Sequence, residues 1–244
     1  MKLFYPLIAL AGFLSGCAAQ TTTATPQAAS SKASALSVVL SGAPRADGEK
    51  ISFPYAETFE EHPLDRTPFG WVDRGDAKST SKVVDAGTVT AKSGSAVLHL
   101  LDNSTEDSAE LMTVVGEITK GSIQFSFYDD SDNPADNYVT LGAGKNADGR
   151  VVDVQFSASG KIRYRDQSGK LQSIGRYTLD QWHDVAILVD MSKERYFLFL
   201  DGAQVQELPT VQAEAPTHLI FKAGSKSKSG HSVYLDNVQV EHLR

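Results

Sequence analysis

From Ile51 onward the chain is written in short apolar alternations broken by Gly, Asn, Asp and Ser. Ile123, Phe125 and Phe127 alternate with Gln124, Ser126 and Tyr128, and Val152, Val154 and Phe156 alternate with Asp153 and Gln155. A period of two marks a strand with one buried face. Turn signals separate the runs: Ala147-Asp148-Gly149, Ser159-Gly160, Ser168-Gly169 and Asp201-Gly202, each flanked by strand-like residues. Helical periodicity is nearly absent. The stretch from Asp180 to Met191 carries Val185, Ile187 and Val189 at spacing two with apolar Ala186 and Leu188 between them, which predicts a central strand covered on both faces. Roughly eleven to thirteen such runs predict an all-β fold, an antiparallel two-sheet sandwich or jelly roll.

The pattern is different before Ile51. An apolar run from Leu3 to Leu14 follows Lys2 and ends in Leu14-Ser15-Gly16-Cys17. The run has the length of a secretory signal and falls short of the about 20 residues that span a bilayer. Its last four residues resemble the lipobox of bacterial lipoproteins. The resemblance implies that residues 1–16 are removed and that Cys17 becomes an acylated N-terminus in a membrane. Ala18, where Asp would signal retention, implies the outer membrane by the same resemblance. Residues 18–35 hold only Ala, Thr, Ser, Gln, one Pro and one Lys, too little apolar surface to offset ordering entropy. We therefore read residues 17–50 as acylated Cys and flexible linker, with an r.m.s. reach of about 30 Å, and 51–244 as one domain. The run Leu36 to Leu40 is either an added edge strand or part of the linker.

Composition narrows the function. At 41% hydrophobic and 22% charged the chain is ordinary globular material. From residue 51 onward 19 basic and 28 acidic side chains give −9, which argues against a nucleic-acid binder that works by neutralising phosphates. One cysteine excludes an internal disulfide.

Three segments in order resemble the concanavalin A-like, laminin-G-like jelly-roll superfamily of exported proteins. The first is Thr58-Phe59-Glu60-Glu61-His62-Pro63 with Pro68-Phe69-Gly70-Trp71. The second is Gln181-Trp182-His183-Asp184-Val185 through Asp190, then Arg195-Tyr196-Phe197-Leu198-Phe199-Leu200-Asp201-Gly202. The third is Val233-Tyr234-Leu235-Asp236-Asn237-Val238-Gln239-Val240. The fold so implied hosts lectins, adhesins, glycoside hydrolases and polysaccharide lyases, so it names a function poorly. It also implies a structural Ca²⁺ between Glu60 and Asp236, whose oxygens are of the hard kind that ion prefers; the plainer reading is a turn cap and a local side-chain bond.

The enzymes of this fold leave signatures that are missing here. No strand carries the closely spaced acids of a retaining glycosidase. Phe221-Lys222-Ala223-Gly224 echoes one alginate-lyase strand but runs on as Ser-Lys-Ser-Lys without the tyrosine. Histidines 62, 99, 183, 218, 231 and 242 lack zinc-site spacing, and there is no G-x-S-x-G. A non-catalytic module is the leading expectation, with a divergent lyase or hydrolase and a structural or protein-binding envelope lipoprotein as alternatives. Candidate carbohydrate-binding residues are the non-core strand positions Tyr128, Asp153, Gln155, Arg163 and Arg165, offering ring stacking and bidentate donors to hydroxyls, a uronate or a sulfate. The plainer reading of these is a wet sheet face. Trp71 and Trp182 are expected to plug the core, and Asp129-Asp130-Ser131-Asp132-Asn133 to form a solvated hairpin tip. The expected partners are a membrane, through the lipid, and a glycan, with the protein monomeric.

Overall fold

The computed structural model describes residues 55–87 and 89–243. The expected signal, Cys17, the expected linker and the candidate strand at 36–40 lie outside these residues. Fifteen strands follow one another: β1 Tyr55–Glu57, β2 Val72–Asp73, β3 Ser79–Asp85, β4 Ala96–Asp102, β5 Ala109–Val114, β6 Lys120–Asp129, β7 Asn137–Ala143, β8 Gly149–Ser157, β9 Lys161–Arg165, β10 Leu171–Arg176, β11 Trp182–Asp190, β12 Arg195–Leu200, β13 Ala203–Pro209, β14 His218–Ala223 and β15 His231–His242. The number exceeds the expected range by the very short β1 and β2, which carry too few residues to show a period. No helix among the described residues is long and apolar enough to cross a membrane.

The strands form two antiparallel sheets. One has eight strands in the order β13-β12-β11-β6-β15-β4-β3, with β1 paired to β15; the other has seven, β10-β9-β8-β7-β14-β5-β2. The alternating apolar positions of both sheets meet between them. Phe127 packs on Phe156 at 4.4 Å and Phe125 on Phe221 at 5.0 Å between ring centroids, and Ile123, Leu141, Val154 and Ile187 are buried around them. Each such large side chain contributes about 1.5–3 kcal/mol through burial, so this interlayer core holds the sandwich.

Three local features depart from the sequence expectation. Strand β11 is central, between β6 and β12, but only its Val185-Ile187-Val189 face is buried; Ala186 and Leu188 are half-buried and floor a groove. Trp71 does plug the core, donating to Tyr55 Oη at 3.0 Å and stacking on Phe221. Trp182 does not: it begins β11 on the outward side and stays half-buried. The acidic run is not a solvated tip throughout, because Asp129 and Asn133 are buried, with the Tyr177 hydroxyl and the Asn133 amide donating to the Asp129 carboxylate.

Turn chemistry follows the sequence with one exchange. Asp201 and Gly202 both take positive φ, 50° and 78°, as a two-residue primed hairpin turn requires. At Ala147-Asp148-Gly149 the positive φ falls on Ala147. Gly149 serves another purpose, since a Cβ there would lie 2.4 Å from Gln212 Nε2.

Candidate functional site

The outer face of the seven-stranded sheet gathers four of the five predicted glycan residues. Register places Arg163, Gln155, Tyr138, Lys222 and Glu110 in one row across β9, β8, β7, β14 and β5. Asp153, Thr140, Ile220 and Met112 form the next row. Outward residues on each strand alternate with core residues, which is why Gln155 and Asp153 flank buried Val154.

Two hydrogen-bonded groups stand on this face. Gln155 Nε2 donates to Asp136 Oδ2 and to Tyr138 Oη, both at 2.7 Å, while its Oε1 accepts from Arg163 Nη1 at 3.3 Å. Burial and the charge of Asp136 push the Tyr138 phenol up. The phenol therefore stays protonated, and its oxygen accepts from Gln155 at the edge of a pocket. The second group centres on Asp153, 1% exposed. Its Oδ2 accepts from Arg165 Nε at 2.7 Å and faces Arg150 Nη1 at 3.3 Å; Oδ1 has no partner. A buried carboxylate held by two guanidiniums leaves the pair with a surplus of positive charge.

Between these groups lies a pocket of about 430 Å³. Arg74, Arg150, Arg165, Lys222 and Lys226 line it against Glu110, Asp148 and Asp153, a local balance of five cations and three acids, or +2. Arg74 pairs with Glu110 at 3.2 Å. Lys222 and Lys226 have no acidic partner among the described residues. The arrangement can take a carboxylate or sulfate on its lysines and hydroxyls on Tyr138 and Thr140. Lys222, Lys226 and Tyr138 were missed in the sequence, although Tyr138 and Lys222 occupy polar positions beside buried Val139 and Phe221.

Tyr128, the fifth predicted residue, stands apart on the outer face of the eight-stranded sheet. There the register aligns Lys82, His99, Tyr234, Tyr128 and Trp182 across β3, β4, β15, β6 and β11. His99 stacks on Tyr234 at 4.5 Å, and Tyr128 meets both Tyr234 and Trp182 edge-on. Burial holds the His99 imidazole down at about 4, so it is neutral in this row.

A strap from Thr90 to Ser95 crosses the same face. Thr90 accepts from Trp182 Nε1 at 2.6 Å, and Lys92 pairs with Asp184 at 3.1 Å. Ser93 donates through N and Oγ to Asp236 Oδ2, while Ser95 and Ala96 donate to Glu60. Glu60 and Asp236 thus both hold the strap through hydrogen bonds. Burial, together with the charge of Glu60, raises the Asp236 carboxyl, and neither acid has a Lys or Arg partner among the described residues. Glu60 accepts from Ser95 N, Ser95 Oγ and Ala96 N, and Asp236 from Ser93 N, Ser93 Oγ and Asn237 N, so a hard divalent cation would have to share oxygens that already hold hydrogen bonds. The described residues contain no group of three or more His, Cys, Asp or Glu that could hold a metal ion, so further ligands would have to be neutral oxygens, of which Ser93 Oγ and Asn237 Oδ1 are within the cluster.

Compared by sequence, the chain matches no protein-family model and no curated protein. Compared by structure, it is similar to a cellulose-induced protein, Cip1, at 11% identity and a TM-score of 0.59 over 78% of this chain and 98% of that one. It is similar to part of a sialidase at 10% identity and a TM-score of 0.58 over 71% of this chain, which spans 17% of the sialidase's length. A carbohydrate-binding module from Bacillus subtilis aligns at 10% identity with a TM-score of 0.47 over 70% of this chain and 95% of the module. The first two likenesses establish the sandwich fold.

Proposed function

We propose that the protein is an exported lipoprotein, anchored through Cys17, whose sandwich binds acidic saccharides on the outer face of its seven-stranded sheet. The observation that carries this reading is the pocket of local charge +2, in which Lys222 and Lys226 have no acidic partner among the described residues, on a body of net charge −9 from residue 51 onward. Clustered cations repel one another, and the pairs Arg74–Glu110, Arg150–Asp153 and Arg165–Asp153 offset that repulsion. Here they stand beside hydroxyl and amide groups at the spacing of adjacent strands, about 4.8 Å, which is close to the width of a sugar ring. Asp153, Gln155, Arg163 and Arg165 are positioning groups in this reading: they hold Tyr138 and the guanidiniums in place, while Lys222, Lys226, Arg150 and Tyr138 meet the ligand. A Ca²⁺ held by Glu60 and Asp236 would fasten the strap to the first and last strands and leave the pocket, on the other sheet, untouched.

The test is a glycan array of neutral, uronate-bearing and sulfated saccharides probed with the whole protein, run beside an assay for reducing ends and unsaturated uronates. Retention of acidic saccharides that is lost in Lys222→Gln/Lys226→Gln, with no release of product, is expected. Retention of no acidic saccharide, or acidic retention that the variant keeps, contradicts the reading, and product release replaces binding with catalysis.

A further inference from the structure

On the side of the strap away from the aromatic row, the eight-stranded sheet carries a groove of about 610 Å³. Its floor is apolar: Ala186 and Phe199 are register partners on β11 and β12, and Leu188 lies one outward position further along. Its wall is polar. Gln124 and Gln239 face each other across β6 and β15, and neither carboxamide has a hydrogen-bond partner among the described residues. Asn237 reaches this wall because it adopts φ 53° at an irregularity between Asp236 and Gln239. Outward residues are even-numbered before Asn237 and odd-numbered after it. Asn tolerates that left-handed conformation better than most side chains, and the bulge re-aims Gln239 into the groove. The two charged groups present, Lys92 and Asp184, pair with each other, and Asp184 also accepts from Ser126 Oγ at 2.7 Å. The groove is therefore electrically neutral.

We propose that this groove is a second saccharide site, selective for an uncharged sugar ring. An aromatic and aliphatic floor suits the C–H face of a pyranose, and two free carboxamides offer both donors and acceptors to its hydroxyl edge. The absence of net charge disfavours a uronate or sulfate, the opposite preference to that of the lysine-lined pocket. The inference stands on the groove alone and does not require the acidic site. A chain with one site on each sheet can cross-link an acidic and a neutral polysaccharide.

Titration of the whole protein with cellohexaose, mannohexaose and a galactan hexasaccharide tests it. At least one is expected to bind, and Gln124→Ala/Gln239→Ala should weaken it about tenfold or more, since each lost hydrogen bond is worth about 1 kcal/mol. Lys222→Gln/Lys226→Gln should leave that affinity unchanged. Both double variants change polar outward positions, and unaltered melting temperatures will show that they fold. No binding of any neutral hexasaccharide at millimolar concentration overturns the proposal, as does binding that survives loss of both glutamines or disappears with the lysines.

Discussion

At the scale of single residues, the informative positions are polar groups that burial has committed to one state. His231 is fully buried; Ala135 N–H donates to its Nδ1 at 3.3 Å and its Nε2 bonds Asn137 Oδ1 at 2.6 Å. A second proton on Nδ1 would face a donor, so the neutral ring is built in. Burial outweighs the opposing charge of Asp136 and holds the imidazole down at about 4, against an ordinary 6.5. In the unfolded chain the ring takes up its proton near 6.5. The stability it contributes is therefore complete above that pH and is lost as pH falls from about 6.5 to about 4. Thermal melts across this window should decline, and His231→Gln should melt lower at pH 7.5 yet decline less steeply below 6.5. Parallel slopes for the two proteins would contradict the assignment. Sequence reading named Asp153, Gln155, Arg163 and Arg165 because alternation marks outward positions. It could not foresee that these four satisfy one another or neighbours such as Asp136 and Tyr138, nor that Lys222 and Lys226 have no acidic partner among the described residues, because pairing depends on which strands become neighbours.

At the scale of elements, the strap and β15 form one device. Gly94 sits at φ 60°, where a Cβ would lie 2.2 Å from Glu60 Oε1, so only glycine lets the strap approach this carboxylate. If calcium joins Glu60 to Asp236, saturating metal at about a hundred times its Kd adds roughly 2.7 kcal/mol. For a domain of this size that corresponds to about 5–10 °C of melting temperature. Chelation should remove that increment from the native protein, and Asp236→Asn or Gly94→Ala should abolish the response. An identical melt with and without chelator removes calcium from the account. Strand β11 was legible from its spacing of two, and β12 and the final strand from the jelly-roll resemblance. The short β1 and β2 were not, and neither was the half-open outward face of β11, since apolar residues on both sides of a strand look alike whether a second layer covers them or a groove opens above them. Trp182 was misplaced for the same reason: a large ring at the start of a strand suits either face.

At the scale of the whole molecule, the alternation and turn signals were enough to specify a two-sheet sandwich, because a period of two over many short runs has few other solutions. The chemistry was less legible. Strand order decides which rows of side chains meet, and the order β9-β8-β7-β14-β5 brings residues more than fifty positions apart into one pocket. The anchor is a separate matter. Acyl chains gain about 0.8 kcal/mol per buried methylene, so Cys17→Ala should move the protein from the membrane to the soluble fraction; a variant that still fractionates wholly with membranes contradicts lipid anchoring. The central claim concerns the face that binds. Its most direct test is calorimetric titration of a polygalacturonate oligosaccharide into the native protein and into Lys222→Gln/Lys226→Gln. Saturable binding by the native protein is expected, with an affinity about tenfold or more weaker in the variant. Equal affinities for the two proteins, or no binding by either, would contradict it.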